Sequence, residues 1–392
     1  MHRLIINDSV ELQKAPSIFK SLGSYGSITM TRVFHPVGQG AFFSEVFSVE
    51  GGGEFTVVYD CGTESGEASM NNEIDAFVAG LKKKEIDILF VSHFHKDHIS
   101  GLDRLASRVK IKKTVIPMLP SEVLLVTRVH NYLACEARTK EGRRKEIGPT
   151  DDVIRDLFES GGSSERFGEI VSVGPYNHDI QPVGWLPVAP VGIKSGKEMS
   201  GVKDIWKYIP FNSVDVSDDR AKRFKDAVKD MLLDGKEELI VDKLLHGLRG
   251  EVRDLYKEIM GKECGDDNLY TLAVESLPAD GYEDEHLARE SRCLFTGDLD
   301  SVGNDDLWGR FADLFKFNDI GTIQVPHHGS KDNWRPEFIT KDSKRFVVSV
   351  GTSNTYHHPD FWAMESIRKN DILRVVTEDP VTKKLCTFRV LD

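Results

Sequence analysis

The residues from Ile86 to His98 constrain the fold more than any other stretch of this chain. The run 86–91 is mostly apolar, and three histidines and one aspartate follow it within the six residues from His93 to His98. Such an apolar run predicts a buried strand. In an extended backbone, His93 and His95 point to the same side, because side chains alternate with a period of two.

The chemistry of this cluster favours a metal site. Imidazole nitrogens and carboxylate oxygens are common ligands of zinc and of similar divalent ions. Asp97 and His98 enter the turn after the strand, where the chain curls back and can present a second pair of ligands. Four ligand-type side chains so close together indicate two neighbouring ions. The alternative is a solvated polar turn that binds nothing.

The same pattern, an apolar strand that ends in a polar turn, recurs along the chain. It is found at Asp60, at Asp298, at 327–330 and at His358, in addition to the first cluster. Strand ends of this kind predict one shared site at one edge of the sheets, on a rigid scaffold. Asp60, which precedes a Cys-Gly pair, can orient the metal ligands. Its alternative role is that of an ordinary turn or capping residue.

Bulk properties limit the class of protein. The length of 392 residues allows two average domains or one large α/β domain with an insertion. No apolar run approaches 18 residues, so we expect no membrane span, and the start lacks the apolar stretch of a signal peptide. Five scattered cysteines fit a reducing cytoplasm. The net charge of −12 disfavours a protein that coats nucleic acid, although basic residues concentrate in 104–145.

Three segments differ from the rest in pattern. Residues 1–26 predict a short N-terminal arm, and 138–145 form a basic loop that is either solvated or in contact with a phosphate backbone. Residues 195–266 are charged, have helical periodicity and show little strand character. We expect a helical insertion there, which could serve as a lid, a contact between identical subunits or a surface for a protein partner.

Six ordered motifs carry a family resemblance. They are Val37-Gly38-Gln39-Gly40, Asp60-Cys61-Gly62, the cluster 93–98, Thr296-Gly297-Asp298, His327-His328-Gly329-Ser330, and Ser349-Val350-Gly351 followed by Asn354-Thr355-Tyr356-His357-His358-Pro359. The chain resembles the metallo-β-lactamase-fold hydrolases, and within them the hydrolase domain of the competence DNA-uptake protein ComEC. The resemblance implies an α/β fold, a four-layer αββα sandwich over 27–392, with 195–266 as additional material.

The sequence also departs from the pattern of that subgroup. Pro36 stands where an aspartate is usual, and His357 replaces a glycine. No clear histidine occupies the position that many relatives use as the third ligand of the first metal. His178 is the nearest candidate, and relatives in this subgroup often lack that ligand.

The resemblance further implies two divalent ions, zinc or manganese. His93 and His95 would hold the first ion, Asp97 and His98 the second, and Asp298 would bridge both. One residue of the pair His327–His328 would complete the second position. Adjacent residues of an extended segment point in opposite directions, so we favour His327 as the ligand and assign His328 to the substrate or to the surroundings of the ligands.

Other polar residues are candidates for catalysis and substrate binding. Asp97 can both ligate a metal and orient the attacking water. His358, Ser330, Lys331 and Asn354 can bind phosphate oxygens or protonate the leaving group, whereas the alternative for His358 and Lys331 is a structural turn.

Three functions follow as hypotheses. The first is a metal-dependent phosphodiesterase, a nuclease on DNA or RNA. The second is a hydrolase of a small ester, thioester, lactone or cyclic nucleotide. The third is a regulatory or partner-binding protein with a degenerate metal site, which would use 195–266 as its surface. A lid formed by 195–266 would favour the second, and an open basic groove the first.

Overall fold

The fold is described by a computed structural model. It describes residues 8–13, 27–49, 52–136, 153–154, 166–177, 191–201, 205–215, 217–232, 249–261, 270–279, 285–342, 344–369 and 371–391. The basic loop 138–145, His178 and most of the arm 1–26 lie outside these residues. Within the described part of the chain, no helix combines the length and the apolar character that crossing a membrane requires.

Eighteen strands and nine α-helices build the described molecule. The strands are β1 Asp8–Gln13, β2 Ser27–Phe34, β3 Phe42–Val49, β4 Glu54–Cys61, β5 Glu85–Ile86, β6 Ile88–Phe90, β7 Lys110–Ile111, β8 Lys113–Pro117, β9 Glu169–Val173, β10 Val191–Ile193, β11 Met199–Ser200, β12 Trp206–Asn212, β13 Leu272–Pro278, β14 Cys293–Phe295, β15 Thr322–Gln324, β16 Arg345–Ser349, β17 Ile372–Val376 and β18 Lys384–Leu391. The helices are α1 Glu67–Gly80, α2 Lys96–Ile99, α3 Leu102–Arg108, α4 Ser121–Glu136, α5 Arg220–Leu232, α6 Arg249–Met260, α7 Glu285–Ser291, α8 Asp305–Leu314 and α9 Phe361–Arg368.

Two large sheets organise these elements. The first has nine strands in the order β1-β18-β2-β3-β4-β6-β8-β9-β10, and the second has seven in the order β11-β12-β13-β14-β15-β16-β17. In the first sheet, β1 pairs with β18 in parallel, and the strands from β18 to β4 are antiparallel. In the second sheet, the strands from β11 to β14 are antiparallel. The other parallel pairs run from β4 to β10 in the first sheet and from β14 to β17 in the second.

The helices and the two sheets form four layers, and a buried apolar cluster lies between each layer and the next. One packs helices α1, α3 and α4 to α6 on the first sheet, the second lies between the sheets, and the third packs α8 and α9 on the second sheet. Phe43, Tyr59 and Phe295 illustrate the middle cluster, because their rings stack across the two sheets. The predicted αββα sandwich is therefore confirmed.

A buried polar network also joins the sheets. Glu45 in the first sheet accepts hydrogen bonds from Arg32 at 2.6 Å, from Tyr208 at 2.7 Å and from Ser276 at 2.8 Å. Arg32 and Glu45 belong to the first sheet and the other two residues to the second. Because an unpaired buried charge is costly, this network stabilises one register of sheet packing.

The first part of the predicted helical insertion 195–266 contains a strand of the second sheet. Residues 206–212 form β12, which pairs with β13 over seven residues and belongs to the second sheet. Helical structure in this range is confined, among the described residues, to α5 and α6. Pro210 lies in the middle of β12, and a proline within a run weakens its prediction as a strand.

Candidate metal centre

Parallel strands of both sheets end at one cleft. Counted together with the open solvent at its mouth, the cleft has a volume of about 450 Å³, and its walls include His95, Asp97, Asp298, His327, His328 and His358. These residues follow β6, β14, β15 and β16 at their carboxyl ends, which is where ligand sites form in α/β sheets. The predicted convergence of strand ends is what the structure shows.

Two groups of ligand-type atoms lie in and below this cleft. His93, His95 and Asp97 form one group, and Asp97, His98, Asp298 and His328 form the other, with the ligand atoms of each group within 4.8 Å of one another. Asp97 belongs to both groups. Residues grouped in this way could hold two neighbouring ions.

Asp298, a member of the second group, also lies near His93 of the first group. Its Oδ1 is 3.1 Å from His98 Nε2, and its Oδ2 is 3.5 Å from His93 Nε2. The Nε2 atom of His93 is buried and makes no hydrogen bond within the described residues. A buried nitrogen of this kind costs free energy unless it has a partner. The residues present therefore fit divalent cations.

Asp60 orients His98 from below. The Asp60 carboxylate accepts a hydrogen bond from His98 Nδ1 at 2.8 Å, and it also accepts from the Ser92 amide at 2.7 Å and from the Ser92 hydroxyl at 2.6 Å. His98 therefore presents Nε2 to the cleft. Carboxylate support of this kind fixes the tautomer and ring orientation of a metal-binding histidine.

The protonation states of these histidines differ. Burial, together with the nearby charge of His98, lowers the pKa of His93 to about 3. Burial also lowers the pKa of His95 well below its usual value. Burial opposes ionisation of His98 too, but the surrounding carboxylates, Asp298 foremost, raise the pKa of His98 well above the ordinary range. A bound cation would therefore displace a proton from His98.

His327 and His328 do not follow the predicted alternation. The argument for opposite directions assumed an extended backbone, but φ is 46° at His327 and 53° at His328, so the pair forms a tight left-handed turn. Both residues line the cleft. His328 Nε2 lies 3.0 Å from Asp97 Oδ2 and belongs to the second ligand group, whereas His327 Nε2 is 3.8 Å from Asp298 Oδ2. The geometry thus favours His328 over the predicted His327 as the ligand.

Of the four residues predicted to bind substrate, one lines the cleft. His358 lines the cleft, and burial lowers its pKa to about 3. Neutral His358 can donate a hydrogen bond to a phosphate oxygen, but it is a poor proton source for a leaving group. Ser330 and Lys331 do not line the cleft. Asn354 uses its amide within its own loop, donating to Gly351 and His358 carbonyls.

Sequence reasoning missed several residues of the cleft. His130 and Asn131 reach it from α4, and Tyr356 and Glu64 line another wall, joined by a hydrogen bond of 3.1 Å. His130 lies on a helix without a local ligand motif, so nothing in its neighbourhood distinguishes it from a core histidine. Tyr356 belongs to a motif that sequence analysis did quote, and its position beside His358 was the available signal.

Residues 40–191 match the family model described as the metallo-beta-lactamase superfamily. ComE operon protein 3 of Bacillus subtilis (strain 168) is 31% identical over 87 residues, which are 22% of this chain and 11% of that protein. The match thus spans about a tenth of the relative's length.

Three solved structures of low sequence identity also match this chain. The metallo-beta-lactamase fold protein YhfI from Bacillus subtilis is 7% identical with a TM-score of 0.39, and the match covers 89% of this chain and 97% of that one. Zn(2+)-bound PqqB from Methylobacterium extorquens is 10% identical with a TM-score of 0.35 and coverages of 88% and 97%. A long form RNase Z from yeast is 12% identical with a TM-score of 0.35 and coverages of 83% and 37%.

Proposed function

Because the chain carries a domain of the metallo-β-lactamase superfamily, we propose that it is a metal-dependent phosphodiesterase that acts on DNA or RNA. The observation that carries this proposal is the pair of ligand groups that share Asp97. Two ions held side by side would supply an activated water and charge stabilisation for both the attacking and the leaving oxygen of an in-line displacement. Zinc and manganese both remain candidates.

Residues of this chain would orient the attacking water and bind the phosphate group. Asp97 lines the cleft and belongs to both ligand groups, so its carboxylate can orient the water. His358 faces the same cleft and, being neutral, donates a hydrogen bond to a phosphate oxygen. Lys96 also lines the cleft and contributes a positive charge that attracts phosphate.

The position of the helical segment favours a large substrate over a small one. Among the described residues, none from 195–266 lines the cleft. Helices α5 and α6 instead pack against α4, where Lys225 donates to the Ser121 hydroxyl at 3.0 Å. A cleft that the described residues of 195–266 leave uncovered has room for a polymer to pass. The local similarity to ComE operon protein 3 supports the same subgroup that the motifs indicate.

The test is a comparison of substrates at known metal occupancy. Protein loaded with Zn²⁺ or Mn²⁺ is assayed with single- and double-stranded DNA and RNA, with bis-p-nitrophenyl phosphate, and with p-nitrophenyl esters and a thioester. We expect cleavage of the phosphodiesters, and we expect Asp298→Asn to abolish it. Asp305→Asn is the matched control, since Asp305 is exposed and pairs with Arg335 away from the cleft.

Two results would count against the proposal. Full metal occupancy without cleavage of any phosphodiester would exclude it. Turnover of an ester or thioester alone would instead establish the small-molecule hydrolase.

A further inference from the structure

A side chain of helix α4 binds the backbone between His93 and His95. Asn131 donates its side-chain amide to the Phe94 carbonyl at 2.6 Å. The Phe94 amide donates to the Tyr270 hydroxyl at 3.3 Å. Phe94 separates His93 from His95 in the sequence, so both peptide groups around it are fixed from outside the ligand loop.

His130, the neighbour of Asn131, holds the side chain of His95. The two imidazole rings lie parallel, with their centroids 3.9 Å apart and their planes inclined by 4°. An imidazole binds an ion close to its own ring plane, and two parallel stacked planes do not meet at one ion. His130 is therefore placed to restrict the rotation of the His95 ring and not to share its ion.

Tyr256 holds His130 in turn. Its hydroxyl lies 3.4 Å from His130 Nδ1, and its ring packs edge-on against Phe224 with centroids 5.6 Å apart. Tyr256 belongs to α6 and Phe224 to α5, and all three side chains are buried. A continuous chain of ring contacts thus runs from these two helices to His95.

We propose that His130 is a positioning residue for His95, and that α5 and α6 act through Tyr256 and His130 to stabilise the first metal position. This assigns the helical segment a role in metal binding. The inference rests on the proposed function only in requiring an ion at His93 and His95. Metal binding can be measured without any substrate, so the two proposals can fail separately.

The experiment measures Zn²⁺ affinity by competition with a chromophoric chelator, and it records the absorption spectrum of the Co²⁺-loaded protein. The variants are His130→Ala, which removes the stacked ring, and His130→Phe, which retains a ring without nitrogen. His95→Ala is the reference for the loss of a ligand. His35→Ala is the matched control, because His35 is also buried and stacks on a ring, that of Phe42, at 4.0 Å outside the cleft.

We expect His130→Ala to weaken one of the two Zn²⁺ sites about 10–100-fold, the usual effect of removing a group that orients a ligand. The Co²⁺ spectrum should change in the same variant. His130→Phe should bind within about threefold of the parent, because the stacked ring is retained. His35→Ala should leave the affinity and the spectrum unchanged even where it lowers the melting temperature.

Three outcomes would overturn the inference. Unchanged affinity in folded His130→Ala would show that the stack does not matter, and a loss in His130→Phe equal to that in His95→Ala would make His130 a ligand. If His130→Ala does not fold, Tyr256→Leu supplies the second measurement. Unchanged metal affinity in that variant would remove the role of α6.

Discussion

The Asp60→Asn substitution tests the metal centre most directly. Asp60 is buried and does not face the cleft, so the substitution removes no proposed ligand. Asparagine has nearly the same shape, and it tolerates the positive φ of 55° at this position as aspartate does. The substitution therefore keeps the shape of the side chain, replaces one accepting oxygen by a donating NH₂ group and removes the negative charge of the carboxylate.

The expected effect follows from the tautomer of His98. Asp60 accepts from His98 Nδ1 at 2.8 Å, which leaves Nε2 to face Asp298. An amide NH₂ in place of the accepting oxygen would donate to Nδ1 and force the proton onto Nε2, where the ion has to bind. Loss of such a support typically weakens metal affinity about 10–100-fold, or about 1.4–2.8 kcal/mol at 1.4 kcal/mol per factor of ten.

Chelator competition at neutral pH measures the effect. Asp87→Asn is the matched control. Asp87 also accepts a backbone hydrogen bond, from the Thr56 amide at 2.8 Å, and it does not line the cleft. Thr56 lies near the start of β4, whereas Asp60 lies near its end. We expect that control to bind metal like the parent. Activity on a phosphodiester should fall in parallel with occupancy and recover at high metal concentration.

Two results would refute this reasoning. Parent-like affinity in Asp60→Asn would mean that the Asp60–His98 contact does not set the tautomer. Equal losses in Asp60→Asn and Asp87→Asn would indicate a general loosening of the sheet instead of an effect on His98.

Three further predictions concern the scaffold. Arg32→Met should lower the free energy of unfolding by about 3–5 kcal/mol in chemical denaturation, because it leaves Glu45 as an unpaired buried charge, and adding Glu45→Leu should restore most of the loss; no recovery would contradict this account. Burial lowers the pKa of His35 to about 4 from 6.5, so below pH 6.5 the unfolded chain binds a proton that the folded chain does not. The free energy of unfolding should therefore fall by up to about 3 kcal/mol as the pH drops from 6.5 to 4. In His35→Gln, the free energy of unfolding from chemical denaturation should depend less on pH over this range; an equally steep dependence would exclude His35 as the cause. Gly40→Ala would place a Cβ 2.7 Å from the Asp97 carbonyl, so we expect about 1–3 kcal/mol of destabilisation together with weaker metal binding, and unaltered metal titration would show that the loop adjusts without moving its ligands.

The local part of the site could be predicted because its residues are close in sequence. His93, His95, Asp97 and His98 share one strand end, and a single turn is enough to bring them together. Asp298 could be added because it too follows a strand, and carboxyl ends of parallel strands share an edge. The fold followed from the order of these strand ends and from the family resemblance they carry.

The remaining features depend on tertiary contacts that leave no local pattern. His130 reaches the site only because α4 packs across the ligand loop. The direction of His328 follows from two consecutive non-glycine residues with positive φ, a rare backbone state for which the sequence His-His-Gly has no signal. Strand β12 escaped prediction because Pro210 lies within it, and the structure nevertheless pairs Pro210 with Val274 of β13.

The candidate ligands come from both sheets, so metal binding would also affect the stability of the fold. His93 and His98 follow a strand of the first sheet, and Asp298 and His328 follow strands of the second. A cation bound by all four residues would join segments of the two sheets that are about two hundred residues apart in sequence. By mass action, free metal at 100 times its dissociation constant would add about 2.7 kcal/mol to stability. The availability of metal would thus raise the free energy of unfolding as well as the proposed activity.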